Sequence, residues 1–198
     1  MVYKPSFFIL SDHGVAGASL ALGMASKISK DIVWVCGENP VFAERISKAY
    51  NLDVEIFGNR SFNLANLNEI NILITEHIER EEGFSVIISI LPELILVHGL
   101  ERVYLFLLNL FKKTEKRGFL IGLMIKNAQN VREEILISRL FSDVFYLESR
   151  LNNERPKLRL ISESPINDRY VFEFELNGYV VEMEEDFINY LQSLKNSL

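Results

Sequence analysis

Short apolar runs and amphipathic stretches alternate along the chain as far as Leu147. Ser6 to Leu10 is a compact apolar run and predicts a buried strand. Gly17 to Ile28 carries Leu20, Leu22, Met24, Ala25 and Ile28, the pattern of a helix lying on a sheet. Asp31 to Cys36 predicts a second strand. Pro40 to Tyr50 predicts a helix with Asn39 as N-cap and Pro40 in its first turn. Asp53 to Phe57 predicts a third strand, and Asn66 to Arg80 a helix with apolar positions at Leu67, Ile70, Leu73, Ile74 and Ile78. Phe84 to Leu91 is almost continuously apolar, as in a parallel strand covered on both faces. Leu100 to Arg117 is amphipathic and closes on Lys112, Lys113, Lys116, Arg117 and Gly118, a helix C-terminal signature. Phe119 to Ile125 predicts a strand, Val131 to Phe141 a helix and Asp143 to Leu147 a strand.

Beyond Leu147 the period changes. Lys157 to Ile161, Tyr170 to Leu176 and Tyr179 to Glu182 predict antiparallel strands, the last two joined at Asn177-Gly178. Glu184 to Leu194 predicts a closing helix. The order implies an α/β fold: a doubly wound, mainly parallel sheet flanked by helices, with an antiparallel C-terminal hairpin. With no repeat, low-complexity tract or evident linker, residues 1–198 are expected to form one domain.

Composition narrows the function classes. Hydrophobic residues are 48% and charged residues 24% of the 198, ordinary for a globular chain. No leader pattern fits the first residues, and Ile87 to Leu100 is too short and too polar for a membrane span. One cysteine, Cys36, excludes an internal disulfide framework and fits a cytoplasmic setting. Three scattered histidines and that cysteine give no zinc-ligand spacing, and neither a metal nor another cofactor is expected. The net charge of -6 opposes broad binding to nucleic acid or to an anionic membrane, so neither is an expected partner.

The stretch richest in chemical implication is Ser11-Asp12-His13-Gly14-Val15-Ala16-Gly17-Ala18-Ser19. An apolar strand runs into a Gly-containing turn and then an Ala-rich helix, as in a phosphate-binding loop. The active pattern is G-x-x-x-x-G-K-[ST]. Aligned on Gly17 and Ser19, Asp12 stands for the first glycine and Ala18 for the lysine. Losing the lysine and gaining Asp12 changes the local charge by about two units, each worth roughly 4 kcal/mol at about 4 Å and an effective dielectric of about 20. Tight triphosphate binding is therefore disfavoured. Gly14, Val15, Ala16, Gly17, Ala18 and Ser19 remain the candidate ligand-binding residues, because backbone N–H groups at a helix start attract anions without a lysine. The competing reading is a plain strand-to-helix turn.

Taken in order, these segments resemble the RecA/KaiC-like ATPase superfamily, from Phe7 to about Glu182. The first strand and loop match Phe7 to Ser19. In the family, the second strand leads to an acidic pair whose first member is the base for the attacking water. Val33-Trp34-Val35-Cys36-Gly37-Glu38 keeps one acid, Glu38. The family's Walker B strand ends in Asp, and Val86-Ile87-Ile88-Ser89 puts Ser89 there. Val171-Phe172-Glu173-Phe174-Glu175-Leu176-Asn177-Gly178-Tyr179-Val180-Val181 resembles the family's late hairpin.

The resemblance implies the RecA-like fold without its ATPase chemistry. Ser19 lacks an acid at Ser89 to help hold a magnesium ion. Glu38, without a triphosphate, is a vestigial acid that fits helix capping better than catalysis. The chain is thus expected to have no catalytic residues and to be a non-catalytic pseudo-ATPase serving as an assembly or regulatory subunit. It would self-associate or join a related RecA-like chain through the loop side and the late hairpin. The alternative is a protein that binds a nucleotide or other anion in the degenerate loop without hydrolysis.

Overall fold

The computed structural model describes residues 5–37, 40–79, 83–115, 117–150, 156–163 and 170–195. Strand β1 (Ser6–Ser11) leads to α1 (Gly14–Ile28), β2 (Ile32–Val35), α2 (Pro40–Ala49), β3 (Glu55–Phe57) and α3 (Leu67–Ile78). There follow β4 (Phe84–Ile88), α4 (Leu91–His98), α5 (Leu100–Thr114), β5 (Gly118–Ile125), α6 (Val131–Ser138) and β6 (Asp143–Arg150). The antiparallel part is β7 (Lys157–Glu163), β8 (Tyr170–Asn177) and β9 (Val180–Glu182), closed by α7 (Glu185–Lys195). All nine strands share one sheet in the order β3-β2-β4-β5-β1-β6-β7-β8-β9. The expected α/β, doubly wound, mainly parallel architecture is the one found.

The parallel strands are buried on both faces because both faces are apolar. In β1, Phe7 and Ile9 join the core under α1, α2 and α7, while Phe8 and Leu10 join the core under α3 to α6. Phe7 pairs in register with Ile121 on β5 and with Asp143 on β6. Each fully buried Phe or Ile of this kind contributes about 1.5–3 kcal/mol relative to exposure. The antiparallel extension differs. One face carries Leu147, Leu160, Phe174 and Leu176 into the first core. On the other face, charged rows run across the strands: Glu148, Arg159 and Glu173 lie opposite one another, as do Arg150, Lys157 and Glu175. That alternation suits a sheet with one face in water.

Four features depart from the sequence expectation. Helix α1 begins at Gly14 rather than Gly17, so most of the candidate loop is helix. Helix α4 lies inside an apolar run that reads as strand and connection, and Pro92 opens it at the position where a missing N–H costs nothing. The hairpin turn is Gly178-Tyr179, not Asn177-Gly178, because Asn177 pairs with Val180. Gly178 has φ +61, which suits a type II′ turn with glycine first. This places Leu176 opposite Val181, with both side chains in the core. Finally, the hairpin's apolar face is covered within the chain: Phe187 of α7 is fully buried, with ring centroids 4.9 Å from Phe172 and 5.2 Å from Phe174. The hairpin therefore needs no second chain to cover that face. The expected N-cap Asn39 lies outside the described residues.

Tyr50, just past α2, pins three elements together. Its hydroxyl donates to the carbonyl of Ser19 in α1 at 2.8 Å and accepts from the N–H of Val181 in β9 at 2.9 Å. Burial pushes its phenol up to about 12. The neutral form is thus favoured in the fold, so this stabilisation is complete below the unfolded value near 10 and fades as pH rises through 12. Tyr50→Phe is expected to cost about 1–3 kcal/mol near neutral pH by leaving the Val181 N–H unpaired. It should also remove roughly 2–3 kcal/mol of alkaline destabilisation between about pH 10 and about pH 12. Urea unfolding of both proteins across that range checks the sign.

Candidate functional site

The β1–α1 junction is short because it is held by its own side chains. The Ser11 hydroxyl donates to the His13 carbonyl at 2.7 Å and its oxygen accepts from the His13 N–H at 3.2 Å. His13, exposed, takes the N-cap position without making a side-chain cap. The N–H of Gly17 already bonds the His13 carbonyl at 3.0 Å as part of the helix. Gly14 and Val15 are half-buried, while Ala16, Gly17, Ala18 and Ser19 are buried. A Cβ on Gly17 would lie 2.8 Å from both Ser11 Cβ and Leu123 Cδ1. That glycine serves close helix–sheet approach. Ala18, aligned by sequence with the motif's lysine, has no exposure and belongs to the core. The Ser19 hydroxyl is buried without a hydrogen-bond partner among the described residues.

Ser89, aligned by sequence with the Walker B acid, is also engaged in packing. Its oxygen accepts from the indole N–H of the fully buried Trp34 at 3.0 Å. Trp34 is on β2 and Ser89 follows β4, so the bond ties together the ends of adjacent strands. Glu38 lies outside the described residues. Sequence reasoning missed Glu93, in the first turn of α4, which packs against Gly37 at the end of β2. A Cβ at Gly37 would lie 2.6 Å from Glu93 Oε1. Burial raises the Glu93 carboxyl above its ordinary range, and its Oε2 has no hydrogen-bond partner among the described residues.

Asp12 does not face the junction alone. Its carboxylate accepts from the Ser149 N–H at 2.9 and 3.0 Å and from the Ser149 hydroxyl at 3.0 Å. Asp12 thereby fastens β1 to the end of β6. Cys36 is buried in the core. The basic groups are dispersed. Lys113 donates to Asn71 and Thr75 of α3, while Arg150, Lys157 and Arg159 line the open sheet face. Lys116 and Arg155 lie outside the described residues. Among the described residues, no group of three or more His, Cys, Asp or Glu side chains could hold a metal ion. None of the helices there is long and apolar enough to cross a membrane.

No protein-family model matches the sequence, and no curated protein matches it. Solved structures do match its shape. One is a KaiC-like protein from the hyperthermophilic archaeon Pyrococcus horikoshii OT3, with a TM-score of 0.67 over 91% of this chain and 89% of that one. Sequence identity is 13%, so the likeness is one of fold: the chain shares the overall fold of that KaiC-like protein.

A lysine placed at position 18 is expected to destabilise the fold. In Ala18→Lys the ammonium enters a core position with no exposure. Burial of an unpaired lysine shifts its pKa by up to about 3–5 units, so a loss of about 4 kcal/mol or more follows. Chemical denaturation of the variant measures this directly. A variant of wild-type stability would place residue 18 outside the core.

Proposed function

We propose that this chain is a non-catalytic member of the RecA/KaiC-like fold class, a pseudo-ATPase that acts as an assembly or regulatory subunit in the cytoplasm. The observation that carries the reading is the burial of Ala18 where the family places its phosphate-binding lysine. The hydrogen bond from Trp34 to Ser89, where the Walker B acid would stand, supports it from a second strand. Two positions that would meet the triphosphate and its metal take part in packing instead. The lone buried Cys36 accords with a reducing compartment.

A subunit role needs an interface. The late hairpin is covered by α7, so the support lies elsewhere. Leu96, 81% exposed, and Val97 lie on α4, with Leu105 exposed on the neighbouring α5. Apolar side chains outside the fold's own core are the kind a second copy or a related chain would cover. The alternative, an anion held at the start of α1, has one point in its favour: the first-turn N–H groups receive no cap from the His13 side chain.

Two measurements on purified protein test the proposal. Magnesium-dependent ATP hydrolysis is expected to stay at background, and light scattering is expected to give a mass above the 22.9 kDa monomer, alone or with a co-purifying chain. Turnover abolished by Glu38→Gln would overturn the non-catalytic assignment. A monomer at tens of micromolar with no associated chain would overturn the subunit role.

A further inference from the structure

The parallel sheet has a topological switch point that the degenerate loop does not use. Strand β1 exits to α1 on one face, while its neighbour β5 exits through residues 126–130 to α6 on the other. Exits that part in this way leave a crevice at the carboxyl ends of the strands, where α/β sheets bind ligands. A cleft of about 500 Å³, within the range of small-molecule sites, begins beside that point at Asp12 and Lys126 and runs over β6 and β7. Tyr146, Leu147 and Ile161 give it apolar lining, and Asp12, Lys126, Glu148, Ser149, Arg150 and Glu163 give it polar lining. A second hollow of about 270 Å³ shares Lys126 and Tyr146 and adds Phe8, Leu10, Val131 and Ile135.

The charged groups of the cleft are not equivalent. Asp12 has both carboxylate oxygens bonded by Ser149. Glu163 is the carboxylate beside the Tyr146 hydroxyl, whose pKa is raised by burial first and by that carboxylate second. Glu148 faces Arg159 at 3.8 Å. Lys126 and Arg150 make no ion pair among the described residues. The groups left to meet a ligand are thus two cations beside an apolar surface. An arginine in this setting offers a planar fork to a carboxylate or phosphate head. Three acids against two cations leave the lining net negative, which opposes a triphosphate and favours a head of low charge.

We propose that this cleft binds a small organic anion with an apolar body. Its single carboxylate or phosphate-ester head is held by Lys126 and Arg150, and its body lies on Tyr146 and Ile161. The site is separate from the Gly14–Ser19 segment and does not depend on the subunit reading. Its chemistry is that of an anion bound without a metal ion.

Calorimetric titration of the whole chain with benzoate, phenyl phosphate, ATP and benzylammonium tests it. Benzoate or phenyl phosphate is expected to bind saturably, one per chain, and the tighter of the two identifies the head group. ATP is expected to bind more weakly than that probe. Lys126→Ala and Arg150→Ala should each weaken binding about tenfold or more; both side chains are exposed, so unchanged thermal melts confirm that the variants are folded. The proposal fails if neither anion saturates, if both variants bind as wild type does, or if benzylammonium binds as tightly as the anions.

Discussion

The close packing of α1 against everything around it governs the rest of this structure. From Ala16 to Ala25 every residue of the helix is buried. The sheet lies beneath it, and α2, α7 and β9 close over it. A helix enclosed on all sides must be apolar or small-chained all round, and Gly-Val-Ala-Gly-Ala-Ser-Leu-Ala-Leu-Gly-Met-Ala is that kind of sequence. The small residues are functional in packing. Gly17 admits Ser11 and Leu123, and Gly23 admits Met183 and the Tyr50 hydroxyl. The same tightness leaves no room at position 18 for a charged chain reaching toward a ligand.

The two ends of the sheet divide the molecule's roles. The parallel strands are wrapped on both faces and form the centre, with Phe7 stacked on Phe119 and tilted against Phe145. The antiparallel strands are wrapped on one face only, by α1 and α7, and show a charged face to solvent. The bonds from Ser149 to Asp12 join the two regions at the carboxyl ends of β1 and β6. The cleft lies at this join, where a scaffold of fixed strands presents exposed side chains.

Much of the fold was legible in the sequence because its strands are strongly apolar and its helices strongly amphipathic. The Phe84 run and the pattern of α5 identify their elements without help from tertiary structure. Helix α4 was hidden by the opposite cause: Leu91 to Val97 is so apolar that its period is lost, and only Pro92 marked the start. The hairpin register slipped by one because Asn177-Gly178 is the stronger local turn signal, while Leu176 and Val181 both find burial when Gly178-Tyr179 turns instead. At the site, Ala18 and Ser89 were legible from spacing as the positions set against the motif's lysine and acid. The partners of Ser89, Asp12 and Gly17 were not, since Trp34, Ser149 and Leu123 reach them only through strand order. The switch-point cleft was invisible for the same reason.

The central claim is that the segment standing where a phosphate loop would be is a packed helix start. Amide hydrogen exchange of Gly17, Ala18 and Ser19, with and without magnesium ATP, tests this most directly. The account predicts slow exchange in the free protein, at the rate of global unfolding, and no change on adding nucleotide. Fast exchange in the free protein that slows on binding ATP would show a loop that closes on phosphate, and would contradict it.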